Sequence, residues 1–186
     1  MIGVRLVPLL VAAGHDVAAM TRSEEKAACL LDLGGEPVVC DVFDLAFLLR
    51  AVVGFRPDVV IHELTDLPDD PARIPELAAA NNRVRREGTA NLLVAAMAAG
   101  ATQFIAQSVA WTLPGEGAAA TEALERAVLG VGGVVIRYGQ LYGPGTYYDT
   151  FPPPRPRVHV DEAARRTLDT LDAPTGVMVV TDSGGE

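Results

Sequence analysis

Apolar and polar positions alternate in two rhythms along this chain. Between Gly88 and Ser108, Leu92, Leu93, Ala96 and Met97 recur at helical spacing, and Gly100 follows as a helix stop. Phe104, Ile105 and Ala106 then form a short continuous apolar run, the pattern of a strand covered on both faces. The same reading predicts helices over Val4–Ala13, Ser23 to about Leu33, Ala46–Val53, Glu122–Leu129 and Asp161–Leu171. Ser23 is an N-cap candidate followed by Glu24 and Glu25, and Gly34-Gly35 and Gly54 are stops. Predicted strands are Val17–Met20, Pro37–Cys40, Val59–Ile61, Val134–Arg137 and Val177–Val180. A proline-bearing polar loop, Asp66–Pro75, leads into the long helix that ends at Gly100. Strands and helices alternate with short connections, which implies crossover units. The expected fold is α/β, a Rossmann-like doubly wound and mainly parallel sheet with helices on both faces.

Composition changes this picture little. At 186 residues and 49% apolar content the chain can bury a sizeable core. The net charge of −9 argues against a nucleic-acid partner, and Arg83, Arg85 and Arg86 read as a solvated helix face. Cys29 and Cys40 have neither CxxC spacing nor companion histidines, so free thiols in a reducing cytoplasm are expected and a metal site is not. Met1–Met20 loosely imitates a secretory signal, but Gly14-His15-Asp16 reads better as a helix stop ahead of a strand. No apolar run reaches the roughly 18–20 residues of a membrane span. In open α/β sheets ligands bind beyond the carboxyl ends of strands, which places Ser108 where chemistry is expected; a serine that starts a loop is the plain alternative.

Five ordered segments carry a family resemblance. They are IGVRLVPLLVAAGHDVAAMTR, PDVVIHELTD, GTANLLVAAMAAGATQFIAQS, VVIRYGQLYGPG and VHVDEAARRTLDTL. Together they resemble the extended short-chain dehydrogenase/reductase superfamily, in particular its NAD-dependent epimerase/dehydratase group. The resemblance implies a dinucleotide-binding region over 1–145 and a reduced substrate-side segment over 146–186. It also implies a nucleotide-sugar or related carbonyl substrate and leaves room for a homodimer; the lack of a membrane-length apolar run leads us to expect no membrane partner.

Three departures accompany the resemblance. Family members begin with a strand and a GxxGxxG loop, of which Gly3 corresponds to the last glycine. That strand normally lies between those matching Val17–Met20 and Val59–Ile61. These two should then belong to one sheet and flank a gap of ~9–10 Å, twice the usual spacing. We expect the chain to be an incomplete version of the natural protein, with a further segment in the gap. A partner's strand or direct pairing after collapse are the alternatives. Second, the family's YxxxK pair cannot be assembled, because the single lysine is Lys26 and all four tyrosines lie at or beyond Tyr138. If Glu125–Leu129 matches the helix after that pair, Gly117 and Thr121 stand at its positions. Third, only thirteen residues separate Gly145 from His159, where the family usually inserts a longer substrate-binding segment.

The resemblance implies a cofactor wall of Gly3, Arg22, Asp41, Val42, His62, Glu63, Leu64, Thr65, Tyr142, Gly143 and Pro144. Arg22 stands where NAD-preferring relatives carry an acid, so NADP is expected ahead of NAD; an ordinary surface arginine is the alternative. Ser108 and Tyr142 are the catalytic candidates, Ser108 to bind the substrate oxygen and Tyr142 to replace the missing acid, with Glu63 the next donor to consider. The expected function is a cytoplasmic NAD(P)-dependent epimerase, dehydratase or reductase. The alternatives are a non-catalytic dinucleotide sensor of the same fold, or a fragment with neither property.

Overall fold

The computed structural model describes residues 1–68 and 70–182. The helices are α1 (Gly3–Ala12), α2 (Glu24–Asp32), α3 (Leu45–Phe55), α4 (Ile74–Arg83), α5 (Thr89–Ala99), α6 (Gly115–Gly130) and α7 (Val160–Leu168). The strands are β1 (Ala18–Thr21), β2 (Glu36–Val39), β3 (Val59–His62), β4 (Gln103–Val109), β5 (Val134–Tyr138), β6 (Gln140–Tyr142), β7 (Arg157–His159) and β8 (Gly176–Val180). A π turn at Val84–Gly88 joins α4 to α5, so the long helix is continuous in course but not in hydrogen-bonding register.

Local chemistry explains most boundaries. The Ser23 hydroxyl accepts from the Lys26 amide and Asp44 accepts from the Phe47 amide, each capping a helix start. Gly100 ends α5 in the left-handed conformation at φ 79°, as the sequence implies. Gly54 does not end α3. The helix runs on to Phe55, and Arg56 takes the left-handed cap at φ 56°, ahead of Pro57, which cannot donate to a continuing helix. Met97 also departs from expectation, being 69% exposed while Ala95 is fully buried, so the inner stripe of α5 is Leu92, Leu93, Ala95 and Ala96.

All strand pairings are parallel, and β3, β4, β5 and β8 form one four-stranded sheet in that order. Period-two alternation sorts its side chains to opposite faces. Ile105, Val134, Ile136 and Tyr138 pack with Leu6 and Leu10 of α1 and Ala163 and Ala164 of α7. Phe104, Ala106 and Val135 pack instead with Leu48 of α3, Leu92 of α5 and Leu124 of α6. Helices therefore cover both faces, as expected of a doubly wound fold.

The expected gap between β1 and β3 is present, but the two strands do not share one hydrogen-bonded sheet. β1 pairs with β2 as a separate two-stranded sheet and makes no ladder with β3. A cleft of about 1510 Å³ lies between them, lined by Ala18, Met20, Val59, Val60 and Ile61 among others. The halves are held apart by shared packing: Leu6 and Leu10 of α1 belong to the four-stranded sheet's core, while Val7 packs with Ala19 and Leu30 beside β1. Collapse of β1 onto β3 would require α1 to leave one of these cores.

Candidate active site

The carboxyl ends of β3, β4 and β5 carry two polar clusters on opposite faces of the sheet. On the α6 face, Ser108 and Arg137 are register partners on β4 and β5. The Ser108 hydroxyl donates to Glu125 Oε1 at 2.5 Å, and Arg137 donates to both Glu125 oxygens at 2.9 and 2.5 Å. Burial pushes the Glu125 carboxyl upward, but the Arg137 and Ser108 hydrogen bonds outweigh it and hold the group below its ordinary range. Every oxygen of this cluster has a partner.

On the α1/α7 face, Glu63 follows β3, and Tyr138 ends β5. The Tyr138 hydroxyl lies 3.0 Å from Glu63 Oε1 and 2.6 Å from Thr167 Oγ1 of α7, and Thr167 donates to the Ala163 carbonyl at 2.8 Å. Glu63 Oε2 is buried without a hydrogen-bond partner among the described residues. Burial raises the Glu63 carboxyl to about 8, against the lowering effects of the Tyr138 hydrogen bond and the Met1 α-amino group. Tyr138 is pushed well above its ordinary value, first by burial and then by the charge of Glu63.

The expected site residues separate into two groups. Gly3, Arg22, Val42, Glu63, Leu64 and Thr65 line the cleft between β1 and β3. Asp41, His62, Ser108, Tyr142, Gly143 and Pro144 do not form its wall. Asp41 is spent on a local turn, accepting from the Phe43 amide. His62 is 1% exposed and accepts the Leu64 amide at Nδ1, so Nε2 carries the proton and donates to Thr89 Oγ1 at 3.0 Å. Burial lowers its pKa to about 4, and it is a neutral, satisfied core histidine. Tyr142 donates to Asp182 at 3.1 Å with its ring edge-on to His159, and Ser108 is turned to Glu125, so these two hydroxyls are not brought together. Gly143 sits against His159, whose Nε2 lies 2.5 Å from where a Cβ would stand. The following loop is tied to α1 by Arg5, which donates to the Pro144 carbonyl and to Asp161.

The cleft's residues fit a dinucleotide. The N-terminus of α1 has no side-chain cap and no acid in its first turn, and a Cβ on Gly3 would meet nothing within 4 Å. An open, uncapped helix start of this kind suits a pyrophosphate. Val42, Leu64 and Thr65 also line the cleft. Arg22 is ion-paired to Asp66 at 2.7 Å, linking the end of β1 to the loop after β3. Among the described residues no cluster of three or more metal-ligating side chains occurs, and no helix is long and apolar enough to cross a membrane.

Fold and cleft together define a Rossmann-type dinucleotide-binding protein. A family model described as NAD(P)H-binding matches residues 1–139, and the chain belongs to that family. It is 41% identical over 175 residues to a Streptomyces protein named "3-diazoavenalumate denitrifying reductase", covering 80% of this chain and 55% of that protein. The chain thus spans about half the length of that curated relative. Among solved structures it resembles the Thermus thermophilus UDP-glucose 4-epimerase complex with NAD at TM-score 0.80 and 20% identity, covering all of this chain and 76% of that one. The UDP-Glc/GlcNAc 4-epimerase of Campylobacter jejuni superposes at TM-score 0.83 with 12% identity and the same coverage. At these identities the likeness establishes the shared fold.

Sequence reasoning missed Tyr138, Thr167, Glu125 and Asp66 as site residues. Tyr138 had a usable signal: extending the β5 alternation one residue puts it on the inward face with Val134 and Ile136. Glu125 carried none, because an acid inside an amphipathic helix usually faces water.

Proposed function

We propose that this chain forms the dinucleotide-binding part of an NAD(P)H-dependent reductase acting on an electron-poor acceptor, such as a conjugated carbonyl or a diazo compound. The name of the 41%-identical relative supports the reaction class. The carrying observation is the state of the tyrosines nearest the sheet's carboxyl ends. Tyr138 and Tyr142 both have their pKa values raised, by burial first in each case. Epimerases and dehydratases acting on a nucleotide-sugar must first take a proton from an alcohol, which needs a base with a lowered pKa. Reduction of an acceptor that is already electrophilic needs no such base. A bound reduced dinucleotide supplies the hydride; this chain's residues hold it, shield it and present a proton. Epimerase or dehydratase action on a nucleotide-sugar is therefore the less favoured reading.

The cofactor preference we propose is NADP over NAD, through Arg22 after the end of β1, where it lines the cleft. Arg22 must leave Asp66 to reach a 2′-phosphate, so the gain falls at the low end of the ~1.5–3 kcal/mol of a charge-assisted contact, about tenfold in affinity. Fluorescence titration with NADPH and NADH tests this: wild type should favour NADPH, and Arg22→Asp should reverse the order. Equal affinities would remove the assignment. Tight binding with no NADPH oxidation across a panel of quinone, enone and diazo acceptors would favour a non-catalytic sensor.

A further inference from the structure

Glu63 is the one residue of the cleft wall whose carboxyl has a buried oxygen without a partner among the described residues, and counting the hydroxyl protons around it points to its protonation. Thr167 spends its single hydroxyl proton on the Ala163 carbonyl. The 2.6 Å contact between Thr167 and Tyr138 must then be filled by the Tyr138 proton. That leaves nothing on Tyr138 for Glu63 Oε1, 3.0 Å away, unless Glu63 itself carries a proton and donates it to the Tyr138 oxygen. An ionised Glu63 would force one of the three contacts to bring two lone pairs together. The neutral acid satisfies all three, as a chain running from Glu63 through Tyr138 and Thr167 to the Ala163 carbonyl.

We propose that Glu63, held as a neutral acid by this hydroxyl chain, is the proton donor of the cleft. The inference rests on the reductase reading and deepens it. For a carbonyl acceptor the balance is simple. With hydride supplied to one end of the conjugated system by a bound reduced dinucleotide, the Glu63 proton would leave the Tyr138 oxygen and pass to the carbonyl oxygen as the Glu63 O–H bond breaks. Glu63 is left as a carboxylate, hydrogen-bonded by Tyr138, and regains a proton from water once product leaves. Tyr138 and Thr167 are positioning residues, since Tyr138 can turn its proton toward the carboxylate at the moment it forms. The titratable groups that act on Glu63 are Tyr138 from β5 and the Met1 α-amino group ahead of α1; Thr167 from α7 adds a hydroxyl and no charge. Burial sets the acid's midpoint at about 8, near the working range of a general acid.

The test has one arm free of turnover. Infrared titration of the carboxyl groups should show one acid still protonated at pH 7, with its midpoint near 8, lost in Glu63→Gln and moved upward in Tyr138→Phe. A midpoint below about 5 would overturn the proposal. In the second arm, NADPH-dependent reduction of a quinone should fall about a hundredfold in kcat in Glu63→Gln, with NADPH affinity changed less than about fivefold. Unchanged kcat in that variant would overturn the donor role while leaving the reductase reading intact. No NADPH binding by wild type would refute the reductase reading and the donor role with it, while the infrared arm would still decide the protonation of Glu63.

Discussion

Two glutamates sit near the carboxyl ends of the same sheet, on opposite faces, and their fates differ. Glu125 meets a serine and an arginine, both oxygens are bonded, and its pKa is held low. Glu63 meets a tyrosine, keeps one oxygen unpartnered, and is pushed to about 8. The controlling difference is a cation in contact. Arg137 compensates Glu125 for lost hydration, whereas Glu63 has only a hydroxyl, and a hydroxyl cannot replace water around a full charge. The paired acid is built to stay ionised and to clamp α6 onto β4 and β5. The unpaired one is built to hold a proton at the cleft.

The widest separation between the two should appear in stability against pH. The folded pKa of Glu63 is raised above its unfolded value of ~4.3, so the native state binds the extra proton between about pH 4.3 and 8. Stability is then full below the lower value and falls by about 1.4 kcal/mol per pH unit until about pH 8, roughly 5 kcal/mol in all. Glu125, with its pKa lowered, contributes with the opposite sign: its stabilisation is present above the unfolded value and lost in acid. Urea unfolding of wild type and Glu63→Gln from pH 4 to 9 isolates the first effect. The two should converge near pH 4 and diverge by pH 8, with Glu63→Gln the more stable. Parallel curves would break the comparison.

Removing the cation is the next largest change. Arg137→Ala leaves Glu125, whose side chain is 11% exposed, bonded only to Ser108. Arg137 is 42% exposed, so solvent screening places the cost below that of a fully buried pair, at about 1.5–3 kcal/mol at pH 7. The Glu125 carboxyl should also move upward and begin to resemble Glu63, which a carboxyl titration of the variant would show. A loss under ~0.5 kcal/mol would mean that the arginine is ornamental.

Much of the framework was legible because periodicity reports burial. The alternation of β5 and the apolar runs of β3 and β4 follow from how a sheet presents side chains to two helical layers. The family motifs likewise marked Gly3, Arg22, Val42, Glu63, Leu64 and Thr65, which share one cleft. What stayed hidden was pairing across distance. Nothing local to Ser108 announces that Glu125, seventeen residues on and one helix away, will take its proton. Nor does the place of His62 at a strand end show that Thr89 of α5 and its own downstream amide consume both of its nitrogens. The gap between β1 and β3 was legible from the missing first strand, and β1 pairs with β2 and not with β3, while α1 packs into the cores beside both.

The smallest effect gives the sharpest version of the contrast. Ser108→Ala and Tyr138→Phe each delete one hydroxyl that bonds a glutamate. Below pH 7 each should cost about 1 kcal/mol or slightly more, the ordinary net worth of a buried hydrogen bond. Their pH dependence should differ. Glu125 is ionised throughout the range from 6 to 9, so the Ser108→Ala cost should stay level. Glu63 loses its proton across the same range, and the Tyr138 hydroxyl then donates to a charged carboxylate, a bond worth ~1.5–3 kcal/mol. The Tyr138→Phe cost should therefore rise by about 1 kcal/mol between pH 6 and 9. It should also raise the Glu63 midpoint, since the Tyr138 bond is one of the influences lowering it. Unfolding curves for the two variants at pH 6 and 9 are enough: equal costs at both pH values for Tyr138→Phe would mean that Glu63 holds the same charge at each, and the distinction between the two glutamates would be lost.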